Sequence, residues 1–164
     1  MPLRYVDPHR RRGPRYQQGV RFGRSRVGQF LARHVARRTD PLLFRLTNGR
    51  VNMGPIVNAP LRSTGAKSGL PREVQLTYFH DGADVILVAS NFGESKHPQW
   101  YYNLKAHPDC TFGQEPFTAT QVTEPEEYRR LYELAEGVYA GYGDYREKTA
   151  DTGRQIPIFR LTPR

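Results

Sequence analysis

One stretch decides the fold: Glu73-Val74-Gln75-Leu76-Thr77-Tyr78-Phe79-His80-Asp81-Gly82-Ala83-Asp84-Val85-Ile86-Leu87-Val88. In its first half, apolar side chains alternate with polar ones, which is typical of a half-buried strand. His80-Asp81-Gly82 supplies turn residues, and the apolar run from Val85 to Val88 returns as a buried strand. The sequence therefore predicts a β-hairpin here, around which the other elements are arranged.

A glycine-containing loop flanks the hairpin on each side. The first reads Arg62-Ser63-Thr64-Gly65-Ala66-Lys67-Ser68-Gly69-Leu70-Pro71-Arg72, and the second reads Ala89-Ser90-Asn91-Phe92-Gly93-Glu94-Ser95-Lys96-His97-Pro98-Gln99-Trp100-Tyr101-Tyr102-Asn103. Glycine lets the backbone expose its N–H groups, and Lys67 and Arg72 add cations, so a phosphate could bind here. The first loop matches neither a Walker A loop nor a dinucleotide fingerprint. We expect the hairpin to bring both loops around one ligand.

The remaining chain adds strands and a few short helices. Further strands are predicted near Cys110–Phe112, Phe117–Val122 and Ile156–Leu161, and a helix is predicted from Pro98 to Lys105. Thr123-Glu124-Pro125-Glu126 fits a capping box that begins a second helix. This pattern indicates an α+β fold, a small barrel or sheet with helices at its ends.

The positive charge is concentrated at the N-terminus. Residues 1–50 contain 13 Arg against two Asp, whereas the other residues contain 12 Lys or Arg against 14 Asp or Glu. We expect residues 1–25 to be a basic, disordered arm and residues 26–164 to form a single domain. Residues 26–38 have the spacing of a basic amphipathic helix, which either packs on the domain or lies on an anionic membrane surface. A nucleic-acid-binding role for the arm is the less favoured reading.

Composition limits the compartment and the chemistry. No apolar run approaches the roughly 20 residues needed to span a bilayer, and the basic N-terminus lacks the apolar core of a signal peptide. Cys110 is the only cysteine, which suits a reducing cytoplasm. We therefore expect a cytoplasmic protein, peripheral at the inner face of the cell membrane if the basic helix binds there. The five histidines have no metal-ligand spacing, so we predict no metal site.

Two aromatic groups are candidates for a pocket. Trp100–Tyr102 fall on the predicted short helix and would either fill the core or form a wall beside a planar cofactor. Tyr139, Tyr142 and Tyr145 recur every third residue, so they either pack together or line a pocket with phenols that donate hydrogen bonds. Ser90 follows the predicted second strand, where a short hydroxyl could meet a ligand.

These motifs carry a resemblance to a known family. Leu61–Arg72 resembles the signature TTGRKSGxPR, and Val88–Asn91 with His97–Leu104 resembles VASxGG…HPxWYxNL. Tyr142–Tyr145 followed by Ile156–Phe159 resembles YxxYQxxTDRxIPVF. On these motifs the chain resembles the deazaflavin-dependent nitroreductases of actinobacteria, also called deazaflavin-dependent quinone reductases.

The resemblance implies a fold, a cofactor and a reaction. The fold would be a split β-barrel of the flavin-reductase/PNPOx-like kind with short flanking helices. The cofactor would be coenzyme F-420, an 8-hydroxy-5-deazaflavin with a phosphate and an acidic tail. The reaction would be hydride transfer from its reduced form to a quinone or nitro-aromatic acceptor. An FMN-binding oxidoreductase on the same barrel is the alternative.

The resemblance also implies which residues form the site. The phosphate and tail would be bound by Ala66, Lys67, Ser68 and Arg72, and the cofactor would run along Glu73, Val74, Gln75, Leu76 and Thr77. The ring edge would be held by Val88, Ala89, Ser90, Asn91, Gln99, Trp100, Tyr101, Tyr102 and Asn103, with Tyr142 closing over it. The residues nearest the acceptor, which would orient or protonate it, are Ser90, Tyr139, Tyr142 and Tyr145.

The chain departs from the family pattern in the loop after the second strand. Asn91-Phe92-Gly93 stands where the family usually has one residue followed by Gly-Gly, so a bulky ring enters the loop. Asn91 also stands where some members carry Lys, which removes a cation. A gap around Asp151–Arg154 loosens the C-terminal match. These changes bear on which acceptor the protein prefers.

Overall fold

A computed structural model describes residues 3–31, 34 and 56–164. Two helices come first, α1 (Pro14–Arg24) and α2 (Arg26–Leu31). The strands are β1 (Asn58–Thr64), β2 (Pro71–Asp81), β3 (Asp84–Val88), β4 (Asp109–Phe112), β5 (Glu115–Gln121) and β6 (Ile158–Pro163). The later helices are α3 (Gln99–Ala106), α4 (Pro125–Val138) and α5 (Gly141–Ala150).

The six strands close into an antiparallel barrel in the order β1-β2-β3-β6-β5-β4. The predicted hairpin is β2–β3, in which Tyr78 lies opposite Leu87 and Gly82 takes a φ of +66° in the turn. β1 pairs with β2 through Thr64, so the beginning of the first predicted loop, Arg62–Thr64, is strand. The α+β barrel with flanking helices is confirmed.

Large side chains fill the barrel. Phe79, Phe112 and Phe159 are at most 1% exposed, and burial of such a side chain contributes about 1.5–3 kcal/mol. Cys110 is also buried, and burial raises the pKa of its thiol to about 12. The thiol therefore stays protonated at neutral pH and serves as a core residue rather than a nucleophile.

The N-terminal segment is packed on the barrel in the structure, whereas its composition predicted a disordered arm. The backbone N–H of Val6 donates to Nδ1 of His80 at 3.0 Å, and the backbone N–H of His80 donates to the carbonyl of Val6 at 2.9 Å. The hydroxyl of Tyr16 donates to the carbonyl of Val138. Val20, on the following turn of α1, is 7% exposed. Composition alone predicted disorder, but these few contacts hold the segment.

The predicted helix over residues 26–38 is described only in part. α2 covers its first six residues, and residues 32, 33 and 35–55 lie outside the described part of the chain. Val27 is 61% exposed and Phe30 is 58% exposed to solvent. Among the described helices, none has the length and apolarity that crossing a membrane requires.

The later helices begin close to the predicted positions. α3 confirms the predicted helix after Pro98, and Trp100 and Leu104 form its buried face. The predicted cap of α4 is wrong: the carboxylate of Glu124, not Thr123, accepts from the backbone N–H groups of Glu126 and Glu127 at 2.9 and 3.1 Å. Glu124 is the N-cap residue because Pro125 occupies the first helical position. Its carboxylate also complements the positive end of the helix.

A break separates α4 from α5 at the predicted tyrosine row. Tyr139 leaves the helical conformation with φ −145° and ψ 107°, and α5 begins at Gly141. A Cβ at Gly141 would lie 2.4 Å from the ring of Tyr139. Glycine is therefore required at this position for the ring of Tyr139 to lie where it does.

Candidate functional site

A cavity of about 740 Å³ is bounded by one side of the barrel, α3, α5 and the N-terminal helices. Many of the predicted site residues line it: Arg72, Glu73, Val74, Gln75, Leu76, Thr77, Val88, Ser90, Asn91, Gln99, Trp100, Asn103, Tyr139, Tyr142 and Tyr145. The structure thus gathers side chains from both predicted loops, from β2 and from the tyrosine row around one space. A cavity of this size can hold most of a drug-sized ligand.

Some predicted residues lie outside the lining: Ala66, Lys67, Ser68, Ala89, Tyr101 and Tyr102. Ala89 is fully buried, and Tyr102 is 44% exposed. The ring of Tyr101 packs 4.4 Å from that of His97, centroid to centroid. Residues 66–68 belong to the loop that precedes Arg72, and Ser68 Oγ lies 3.5 Å from a guanidinium nitrogen of Arg72.

Asn103 joins the first predicted loop to α3. Its Oδ1 accepts from the backbone N–H of Ala66 at 3.0 Å, and its Nδ2 donates to Oγ of Ser63 at 3.4 Å. Asn103 is 2% exposed, so these bonds form away from water. The hairpin was expected to bring the two loops together. Because β2 extends well beyond β3, the link depends instead on α3, which follows the second loop directly in sequence.

One polar side chain of the cavity wall lacks a partner. Both amide atoms of Gln75 are buried and make no hydrogen bond within the described residues. Leaving a buried amide unpaired costs about 1–3 kcal/mol. A ligand that presents a donor and an acceptor side by side would satisfy this amide, and the pyrimidine edge of a flavin-like ring is such a group.

The three predicted tyrosines form one cluster. The ring centroids of Tyr139 and Tyr142 are 5.5 Å apart, and that of Tyr145 lies 6.3 and 6.2 Å from them. The hydroxyl oxygens of Tyr139 and Tyr145 are 3.5 Å apart. Burial raises the pKa of all three phenols. They are therefore neutral near pH 7 and able to donate hydrogen bonds.

Tyr142 lies against the barrel wall. The side chain of Thr77 offsets part of the rise that burial causes in the pKa of Tyr142, and Oγ1 of Thr77 donates to Oδ1 of Asn58 at 2.7 Å. Tyr142 and Thr77 both line the cavity.

Arg154 is a residue that the sequence reasoning missed. Its guanidinium donates to the carbonyls of Ala89 and Ser90 at 2.6 and 3.1 Å, to the carbonyl of Glu94, and to Nδ1 of His97 at 3.1 Å. Burial lowers the pKa of its guanidinium. These bonds fix the turn that carries Ser90. The available signal was the Arg of the quoted motif, which falls beside the gap in the C-terminal match.

The N-terminal helices form a wall that was also missed. The cavity is lined from this side by Gly19, Phe22, Gly23, Gly28 and Leu31. A Cβ at Gly28 would lie 2.0 Å from the carbonyl oxygen of Phe22, so α1 and α2 meet closely. The guanidinium of Arg24 donates twice to the carboxylate of Asp144, at 2.7 and 2.6 Å, which joins α1 to α5.

The closed barrel, with a lined cavity against one side, is the split-barrel architecture that the resemblance predicted. A family model described as F420H(2)-dependent quinone reductase matches residues 33–163. The chain therefore belongs to the F420H(2)-dependent quinone reductase family, as the resemblance of its motifs predicted. α1 and α2 precede the matched range.

Relatives and solved structures agree with this assignment. An F420H(2)-dependent quinone reductase of Mycobacterium tuberculosis is 37% identical over 152 residues, covering 84% of this chain and 99% of the relative. A solved F420-H2 dependent reductase, FDR-A, is similar with a TM-score of 0.55 and 34% identity, covering 64% of this chain and 93% of its own. A structure described as a domain-swapped dimer has a TM-score of 0.59 and 31% identity, covering 82% of this chain and 98% of its own.

Proposed function

We propose that this protein is an oxidoreductase that transfers a hydride from reduced coenzyme F-420 to a quinone or nitro-aromatic acceptor. Membership of the F420H(2)-dependent quinone reductase family is the observation that carries the proposal. The cavity supports it, because the family motifs supply much of its lining. The same membership favours F-420 over FMN.

The residues of the cavity fit such a cofactor. Arg72 lies in the lining and Lys67 lies on the preceding loop, so together they would bind the phosphate and the acidic tail. The unpaired amide of Gln75 would bind the pyrimidine edge of the ring. Trp100 would form an apolar wall. When bound, the reduced deazaflavin supplies the hydride, so the protein needs no nucleophile of its own.

The tyrosine cluster would act on the acceptor. A quinone that receives a hydride gains negative charge on an oxygen, and a neutral phenol stabilises that charge by hydrogen bonding or by giving its proton. Tyr139 and Tyr145 line the cavity as protonated phenols. Ser90, at the end of β3, would help to orient the acceptor.

Cofactor binding tests the proposal directly. Titration of the protein with F-420, followed by cofactor fluorescence, should give saturable binding that FMN does not match. The variant Lys67→Ala/Arg72→Ala should bind F-420 about 100-fold more weakly, since two charge-assisted hydrogen bonds contribute roughly 1.5 kcal/mol or more each. Adding menadione to the complex with reduced F-420 should then oxidise the cofactor.

A matched double variant controls for loss of charge. Lys105→Ala/Arg129→Ala removes one Lys and one Arg that are exposed and lie outside the cavity lining. Its affinity for F-420 should equal that of the wild type. Absence of F-420 binding at micromolar protein would overturn the proposed function, whereas unchanged binding by Lys67→Ala/Arg72→Ala would overturn only the phosphate assignment.

We also propose that the protein docks peripherally on an anionic membrane, at the inner face of the cell membrane. The support is the Arg-rich N-terminus beside the exposed apolar side chains of Val27 and Phe30. Full-length protein should sediment with phosphatidylglycerol vesicles and not with phosphatidylcholine vesicles, and Val27→Ser/Phe30→Ser should reduce that binding. Equal sedimentation with both lipids, or none with either, would contradict membrane docking.

A further inference from the structure

The turn after β3 contains two non-glycine residues in the left-handed region of the backbone. Asn91 has a φ of 48° and Phe92 has a φ of 56°. Asn tolerates this region because its short side chain can bond locally, whereas a bulky aromatic residue is rarely found there. Gly93, the next residue, is also in the left-handed region, with a φ of 73°. Backbone strain is therefore held at Phe92, and strain of this kind is concentrated at functional sites.

The surroundings keep the strained turn in place. A Cβ at Gly93 would lie 3.1 Å from the side chain of Lys148 and 3.2 Å from Cα of Tyr145, so the turn packs closely on α5. Arg154 donates to the carbonyls of Ser90 and Glu94, one on each side of the turn. The left-handed backbone at Phe92 is thus imposed by contacts on both sides.

The strained residue presents its ring to the cavity. Phe92 lines the cavity, and its ring meets that of Tyr145 edge to face, with centroids 6.0 Å apart and planes at 73°. Glycine would fit the same backbone without strain. A phenyl group here therefore costs stability, and what it adds is volume and an aromatic edge beside the tyrosine cluster.

We propose that Phe92 is a specificity-determining residue that narrows the acceptor end of the cavity. This rests on the proposed function, because it places the acceptor beside Tyr139 and Tyr145. The ring of Phe92 favours a flat, compact quinone, which it contacts edge to face. It disfavours a quinone whose ring carries a bulky chain, because the phenyl group occupies the space that the chain requires.

The single tryptophan of the chain makes the proposal measurable without turnover. Trp100 lines the cavity, so quenching of its fluorescence reports quinone binding directly. The dissociation constants of menadione and of a naphthoquinone with a long prenyl chain are measured for the wild type and for Phe92→Gly. We expect the ratio of the two constants to shift about tenfold in favour of the prenylated quinone, a typical effect of added volume in an apolar pocket.

Two further measurements sharpen the result. Phe92→Ala removes the ring but keeps a Cβ at positive φ, so it should shift the ratio similarly while melting at a lower temperature than Phe92→Gly. The affinity for F-420 should stay within about twofold of the wild type in both variants, well below the tenfold effect expected on the acceptor ratio. An unchanged ratio of quinone affinities would overturn the role of Phe92. Failure of the proposed function would appear separately, as absent F-420 binding by the wild type.

Discussion

Replacing Tyr139 by Phe is expected to lower kcat/KM for quinone reduction about 100-fold, the scale of a lost proton donor. Burial raises the pKa of Tyr139, and the hydrogen bond with Tyr145 offsets part of that rise while raising the pKa of Tyr145. Either hydroxyl can donate across the 3.5 Å between them; when Tyr145 donates, the proton of Tyr139 is free to enter the cavity. The affinity for F-420 should not change, because only the acceptor loses a partner.

The other two tyrosines serve as controls. Tyr142→Phe removes a hydroxyl that lies beside Thr77 on the barrel wall, so we expect it to lower kcat/KM less than tenfold, below the range of a lost general acid. Tyr145→Phe removes the bond that lowers the pKa of Tyr139. Its kcat/KM should lie between the values for Tyr139→Phe and Tyr142→Phe. A larger loss in Tyr142→Phe than in Tyr139→Phe would show that Tyr142, and not Tyr139, supplies the proton.

The protonated state of the three phenols determines how kcat/KM depends on pH in the alkaline range. Because burial raises the phenol pKa values above their ordinary value of 10.0, the protonated phenols persist throughout the mildly alkaline range. The kcat/KM of the wild type should therefore be flat between about pH 7 and 9, well below the ordinary phenol pKa. A decline centred near pH 8 that disappears in Tyr139→Phe would contradict the burial of this phenol.

The elements that sequence predicted best are those fixed by local pattern. Alternation in β2 and the turn at Gly82 gave the hairpin, and Pro98 marked the start of α3. Closure of the barrel depends on β1 meeting β4, where Leu61 lies opposite Phe112, and no local pattern specifies that pairing. The packing of the N-terminal segment was not predicted, because composition does not register the few buried side chains, such as Val6 and Val20.

The same contrast between local pattern and long-range contact applies to the residues of the site. The spacing of Tyr139, Tyr142 and Tyr145 indicated that they could share one side of a helix end, but the break at Tyr139 was not predicted. The unpaired amide of Gln75 could not be predicted from the sequence. A missing hydrogen-bond partner is recognised only when the positions of all neighbouring atoms are known. Arg154 was missed for a related reason: its bond to Ala89 spans 65 residues of sequence, and a lone Arg in a polar stretch is usually a solvated side chain.

Replacing Arg154 by Met should have the largest effect on stability. The change leaves the carbonyls of Ala89 and Ser90 without their donor in a half-buried place, and each hydrogen bond from a charged group contributes about 1.5–3 kcal/mol. We expect a loss of roughly 3 kcal/mol in the free energy of unfolding, which for a chain of this size lowers Tm by about 6–12 °C. Thermal melting monitored by circular dichroism measures this.

Arg130→Met is the matched control for Arg154→Met. Arg130 pairs with Asp81 at 2.8 Å, but its side chain is 51% exposed, and exposed ion pairs contribute about 0–1 kcal/mol. Its Tm should fall by no more than about 4 °C. Arg154→Lys should recover little, because one ammonium cannot reach acceptors that a planar guanidinium binds together. Equal melting temperatures for Arg154→Met and Arg130→Met would show that the turn after β3 holds its shape without Arg154. The left-handed backbone at Phe92 would then depend on α5 alone.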